Sequence, residues 1–162
     1  LDKAFLDMAK TIISNIDDFL NLKGEILGTS EWFAINQDTI NNFADATFDH
    51  QWIHVDTERA KVESPYRTTI AHGYLILSLL PHLLDDIIDV KNLKQLVNYG
   101  IKNMTYKNVV FSGSRIRLTA RLDKVRDLGD VCKTEIYCVF EIEGQYIPAL
   151  EGTIIYIYYC NS

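Results

Sequence analysis

The feature that most constrains the fold is a change of hydrophobic period at about residue 93. Before it, GYLILSLLPHLL over 73–84 is apolar nearly all round, the pattern of a helix buried on most sides. After it, QLVNYGIKNMTYKNV, SRIRLTARLDKVRD, DVCKTEIYCVFEIEG and QYIPALEGTIIYIYY are long runs rich in Val, Ile, Thr and Tyr. SRIRLTARL alternates polar and apolar residues at period two, as a strand with one wet face does. The glycine-bearing turns FSGS, RDLGD and EIEGQ punctuate these runs, which predicts an antiparallel meander of four long strands. A buried helix with a long antiparallel sheet makes an α+β domain in which the sheet wraps the helix. Pro81 lies inside that helix and removes one backbone hydrogen bond, so a kink or split is expected there.

The first half is less regular. Phe5, Met8, Ile12, Ile16 and Phe19 recur at three- and four-residue steps, which predicts an amphipathic helix over 3–20. Residues 1–22 then read as an N-terminal helical extension of one domain spanning 1–162. KGEILGTSEWFAI, 23–35, has strand character with a bulge expected at Gly28. INQDTINNFADA predicts a short helix capped by Asn36. Residues 47–69 lack sustained periodicity and read as a loop, with one weak helical turn over 57–61.

Bulk composition narrows the function classes. With 162 residues and 48% hydrophobic content, the chain can bury one sizeable core. A net charge of -6 argues against nucleic acid, whose binders usually show a basic face, and mildly against an anionic membrane surface. No apolar run reaches the roughly 18 residues of a membrane span. Asp2, Lys3, Asp7 and Lys10 interrupt 1–20, so that segment does not read as a signal peptide. The three cysteines, Cys132, Cys138 and Cys160, are odd in number and widely spaced. That predicts free thiols in a reducing, cytoplasmic setting and no zinc site.

Candidate chemistry concentrates in FADATFDHQWIHVD, 43–56. Asp49 and His54 stand five apart directly after a helix. A carboxylate and an imidazole together can hold one water and share its protons, the imidazole near neutral pH. Gly73 opens the apolar helix, where backbone N–H groups lack intrahelical partners and an oxyanion can approach closely. Asp56 is placed to cap the following turn, His50 to be exposed, and His82 to sit near a helix end. His72 is placed to bond backbone near the helix start, and Ser78 to bond a backbone carbonyl of its own helix. Lys102, Lys107, Arg115 and Arg117 read as a solvated strand face rather than as ligands for phosphate.

Taken in order, FADATFDHQWIHVD, AHGYLILSLL, VNYGIKNMTY and FSGSRIRLTARL resemble the MaoC-like dehydratases. These are single-hotdog (R)-specific enoyl-CoA hydratases, including the branch named after the nodulation protein NodN, which the chain resembles better at Gln51-Trp52. The resemblance covers roughly residues 23 to 159. It implies a hotdog fold, with a curved antiparallel sheet wrapped around a long central helix, as a homodimer. It implies Asp49 and His54 as the catalytic pair, the Gly73 amide as oxyanion donor, and substrate contacts from Gln51, Trp52, His72 and Ser78. The reaction implied is addition of water across C2–C3 of a trans-2-enoyl thioester carried on coenzyme A or acyl carrier protein. No metal and no cofactor is implied; coenzyme A enters only as part of the substrate. Gln51-Trp52 stands where many hydratases have Asn-Pro. Phe48 is expected to narrow the pocket, and Pro81 to bend the wall that receives the acyl chain. On the same scaffold the alternatives are thioester hydrolysis and acyl-thioester binding without turnover.

Overall fold

The long strands are the frame of the computed structural model, which describes residues 10–129 and 131–160. The chain begins with strand β1 (Thr11–Ile13), helix α1 (Ile16–Asn21), and strands β2 (Ile26–Thr29) and β3 (Phe33–Ile35). Helices α2 (Gln37–Thr47), α3 (Trp52–Val55), α4 (Thr57–Glu63), α5 (Gly73–Ser78) and α6 (Leu80–Asp85) follow. Strands β4 (Ile88–Val90), β5 (Leu93–Tyr106), β6 (Ser114–Asp127), β7 (Val131–Ile142) and β8 (Leu150–Cys160) complete it. The main sheet has the order β2-β6-β7-β8-β5, with β3 also paired to β6, and all its pairings are antiparallel. Its concave face holds the helices, which is the hotdog architecture expected.

The meander is real for β6, β7 and β8 but not for β5, which pairs with β8 at the far edge. Residues 107–113 therefore do not form a hairpin turn. They cross the entry of α5, where Ala71 N–H donates to the Val110 carbonyl and Ser112 N–H to the Thr69 carbonyl. Backbone groups near a helix start need partners, and this crossing strap supplies them.

Pattern and burial agree along the sheet. In β7, Cys132, Thr134, Ile136, Cys138, Phe140 and Ile142 alternate inward without a break. They meet Leu118, Ala120 and Leu122 of β6, Ile154, Tyr156 and Tyr158 of β8, and Leu75, Ile76, Leu80, Leu83 and Leu84 from the helices. The central helix is split at Leu79, two residues before Pro81, as its missing N–H predicts. Asn36 caps α2 through its side chain, and the bulge at Gly28 is present.

Two expectations fail on physical grounds. The helix expected over 3–20 is helical only over Ile16–Asn21 among the described residues; 1–9 lie outside them. Thr11–Ile13 instead pairs in parallel with β4, and Asn15, extended, caps α1 through Asp18 N–H. A short parallel pairing between β-branched residues overrides the helical spacing. The loop expected over 47–69 carries two helices, α3 and α4. Asp56 caps α4 as expected, accepting from Arg59 N–H at 2.9 Å, and the turn expected over 57–61 extends to Glu63. Among the described residues no helix is long and apolar enough to cross a membrane.

Gly152 shows how closely β5 and β8 approach at the Asn103 bulge. A methyl group there would lie 2.5 Å from the Asn103 carbonyl oxygen and 2.6 Å from Met104 Cα. Backbone cannot yield as a flexible side chain does. Gly152→Ala is expected to cost about 1–3 kcal/mol, read as a lower urea midpoint at unchanged slope. An unchanged midpoint would show that the two strands can part there freely.

Candidate active site

The site is built where α2 ends. Phe48 follows α2 in the left-handed region at φ 61°, which turns the chain sharply and presents Asp49. The Asp49 carboxylate is half exposed, and its Oδ1 accepts from Gln51 N–H at 3.4 Å. One turn of helix, α3, then carries His54 inward until 7% of it remains exposed.

Two hydrogen bonds fix His54. Its Nδ1 lies 2.7 Å from the Ile70 carbonyl oxygen, just before α5. A carbonyl can only accept, so Nδ1 carries the proton, and the neutral ring keeps Nε2 as an acceptor. The His54 carbonyl accepts from Gln37 Nε2 at 2.7 Å, and Gln37 Oε1 accepts from Thr69 at 2.5 Å. Burial pushes His54 below the ordinary 6.5; the Ile70 hydrogen bond opposes this, His72 adds to the lowering, and Asp49 opposes it. The unfolded chain therefore binds this proton more readily than the folded one. The stability His54 contributes is complete above 6.5 and is lost as pH falls from there through the lower folded value.

His72 lies against both. Its Nε2–H donates to the Asp49 main-chain carbonyl at 2.9 Å, while the Asp49 carboxylate is 3.8 Å from the same nitrogen. Its ring stacks on His54 with centroids 3.7 Å apart and planes inclined 25°. Asp49, His54 and His72 bring one donor atom each within 4.8 Å of one another. Each imidazole spends one nitrogen on a main-chain carbonyl, so the backbone orients both rings.

His54 and Gly73 line one apolar cavity of about 180 Å³, together with Ile76, Tyr106, Val110 and Leu150. Gly73 is the first residue of α5, so its N–H has no intrahelical acceptor. A Cβ at Gly73 would meet the Tyr106 ring at 2.7 Å, so glycine is needed for that ring to lie against the helix start.

The other expected residues fall elsewhere. Ser78 is exposed and donates to its own helix at the Tyr74 carbonyl, 2.7 Å away. Trp52 faces α4, with the Arg59 guanidinium 4.4 Å above its ring, and Gln51 is exposed at the start of α3. None of these three lines the His54 cavity. Phe48 is 86% exposed and does not narrow it, because its left-handed backbone turns the side chain outward. Pro81 lines a separate groove with Lys10, Leu84 and Ile88. His50 is exposed and pairs with Asp45; His82 packs edge-on to Phe33. Lys102, Lys107, Arg115 and Arg117 are paired with Glu135, Glu151, Glu143 and Glu141 on the outer sheet face. Burial pushes the Cys132 and Cys138 thiols up to about 12, so both are inert packing residues. Gln37, Thr69 and Tyr106 were missed, since each reaches the site only through tertiary contact.

A buried histidine of fixed tautomer, a neighbouring carboxylate and a helix-start amide thus meet on a hotdog sheet. The MaoC like domain family matches residues 18–139. The chain is 43% identical over 136 residues to 3-hydroxyacyl-thioester dehydratase Z of Mycobacterium tuberculosis (strain ATCC 25618 / H37Rv), covering 83% of this chain and 89% of that protein. It is 42% identical over 136 residues to Nodulation protein N of Rhizobium leguminosarum bv. viciae, covering 83% of this chain and 84% of that protein. The (R)-hydratase from A. caviae shares the fold, with a TM-score of 0.62 at 18% identity over 82% of this chain and 95% of that one. The chain belongs to the MaoC-like dehydratase family.

The turn before Asp49 stores backbone strain. A non-glycine residue in the left-handed region costs roughly 1–2 kcal/mol, and the Phe48 side chain regains little by burial. Phe48→Gly is expected to stabilise the fold by about 1 kcal/mol, seen as a higher Tm. A lower Tm would show that the exposed ring is anchored after all.

Proposed function

We propose that the protein hydrates trans-2-enoyl thioesters to (R)-3-hydroxyacyl thioesters, and catalyses the reverse dehydration, with Asp49 and His54 as the catalytic pair. The observation that carries this reading is the Nδ1 hydrogen bond from His54 to Ile70. It makes Nε2 the free, basic nitrogen of a ring that lines an apolar cavity. Asp49, half exposed beside it, holds the attacking water. His54 Nε2 takes a proton from that water as its oxygen bonds C3. The π electrons move toward the thioester carbonyl, whose growing negative charge the Gly73 N–H receives. The imidazolium then returns its proton to C2, so atoms and charge balance with no cofactor in the scheme. The thioester carrier is coenzyme A or acyl carrier protein.

A homodimer belongs to the same proposal. β5 is an edge strand of 14 residues with Leu96, Tyr99 and Ile101 exposed. A long apolar edge of this kind is covered in a stable assembly.

The test is decay of the enoyl-thioester absorbance with crotonyl-CoA, and then with longer chains. Wild type should bleach the band; Asp49→Asn and His54→Ala should each lose on the order of 100-fold or more in kcat. Release of free thiol with the double bond intact would instead identify a thioesterase. Since the base must be neutral, kcat/KM should fall at low pH, with its inflection below the ordinary 6.5 because burial lowers the His54 value. An inflection above 6.5 would contradict His54 as that base.

A further inference from the structure

His72 is more deeply buried than either member of the proposed pair, at 3% exposure, yet it belongs to neither the cavity lining nor the scheme above. Its three contacts explain the burial. Nε2–H donates to the main-chain carbonyl of Asp49 at 2.9 Å. One ring face lies on His54 at 3.7 Å between centroids. Phe43 of α2 packs against the ring, centroids 5.1 Å apart. The remaining nitrogen, Nδ1, is buried without a hydrogen-bond partner. An unpartnered buried acceptor is destabilising, so a plain apolar side chain would serve the core better. What an apolar side chain cannot do is hold the Asp49 carbonyl.

We propose that His72 is a positioning residue, which ties the Asp49 backbone to the flat face of His54 so that carboxylate and imidazole keep one relative geometry. The assignment rests on the hydratase reading and reassigns a residue expected to contact substrate. The mechanical reasoning is direct. Asp49 follows a strained turn and is exposed, and its carboxylate makes one long bond of 3.4 Å to its own loop. Left to that bond, it would wander. His72 is the N-cap of α5, where the core leaf formed by Leu75 and Ile76 begins, so it lends Asp49 the rigidity of the helix. The ring also screens one face of His54 from water. The titratable groups facing His54 are Asp49 and His72, with Tyr106 lining the same cavity.

Two substitutions separate the two contacts. His72→Gln places an amide N–H near the position of Nε2 but removes the ring. His72→Phe keeps a ring against His54 and removes the donor. For His72→Phe the expected result is a kcat lower by on the order of tenfold to a hundredfold with KM nearly unchanged. His72→Gln should retain more of kcat, while the low-pH inflection of kcat/KM moves up toward 6.5 as the ring that disfavours the His54 charge is lost. Wild-type kcat and inflection in both variants would overturn the proposal. A raised KM at unchanged kcat would overturn it too, and return His72 to the substrate. Nitrogen-15 imidazole spectra of the wild type give a readout free of turnover. Nε2–H on His72 and Nδ1–H on His54 are expected, and the opposite tautomer on His72 would refute the tie to Asp49. If wild type turned over no enoyl thioester while these tautomers were found, the hydratase reading would fail and the geometry would stand.

Discussion

An apolar helix whose polar groups gather at its N-terminal end can be buried by a one-sided sheet only if that end stays at the rim. This constraint organises the molecule. Leu75, Ile76, Leu80, Leu83 and Leu84 need the dry faces of β6, β7 and β8. Ile70, Ala71 and His72, at the entry of α5, need polar neighbours. The strap over 107–113 answers that need from one side through Val110, and the segment 48–56 answers it from the other through Asp49 and His54. The candidate site lies where the two meet, around the backbone groups of the helix entry.

Electrostatics follow from the same placement. His54 is held in a largely apolar wall by the Ile70 carbonyl, which sets its tautomer, while burial favours its neutral form against that hydrogen bond. Asp49 stays near solvent, its carboxylate half exposed. One group wet and one dry, a short distance apart, is the division that lets an imidazole and a carboxylate serve different ends. The strained Phe48 turn is the structural cost of that division, since it lets the chain leave α2 and expose Asp49 before diving inward again.

Much of this was legible in the residues. Strict alternation in SRIRLTARL and in β7 announced one-sided strands, and Pro81 announced the break near Leu79. The run FADATFDHQWIHVD marked the candidate site because it is local: Asp49 and His54 stand five residues apart. What distance hides could not be read. The pairing of β5 with β8 depends on a crossing whose register no local pattern encodes, and FSGS looks like a hairpin turn although it ends a strap. Thr11–Ile13 has helical spacing but is captured by β4. Ser78 and Trp52 stand near the site in sequence and face away from it in space, whereas Gln37 and Tyr106 do the reverse.

The central claim is that His54 moves one solvent-derived proton while water adds at C3. Proton NMR of crotonyl-CoA incubated with the protein in D2O tests it most directly. A single (R)-3-hydroxybutyryl thioester with one deuterium at C2, formed by wild type and not by His54→Ala, is the predicted result. Free crotonate with no deuterium at C2, or hydration unchanged in His54→Ala, would contradict it.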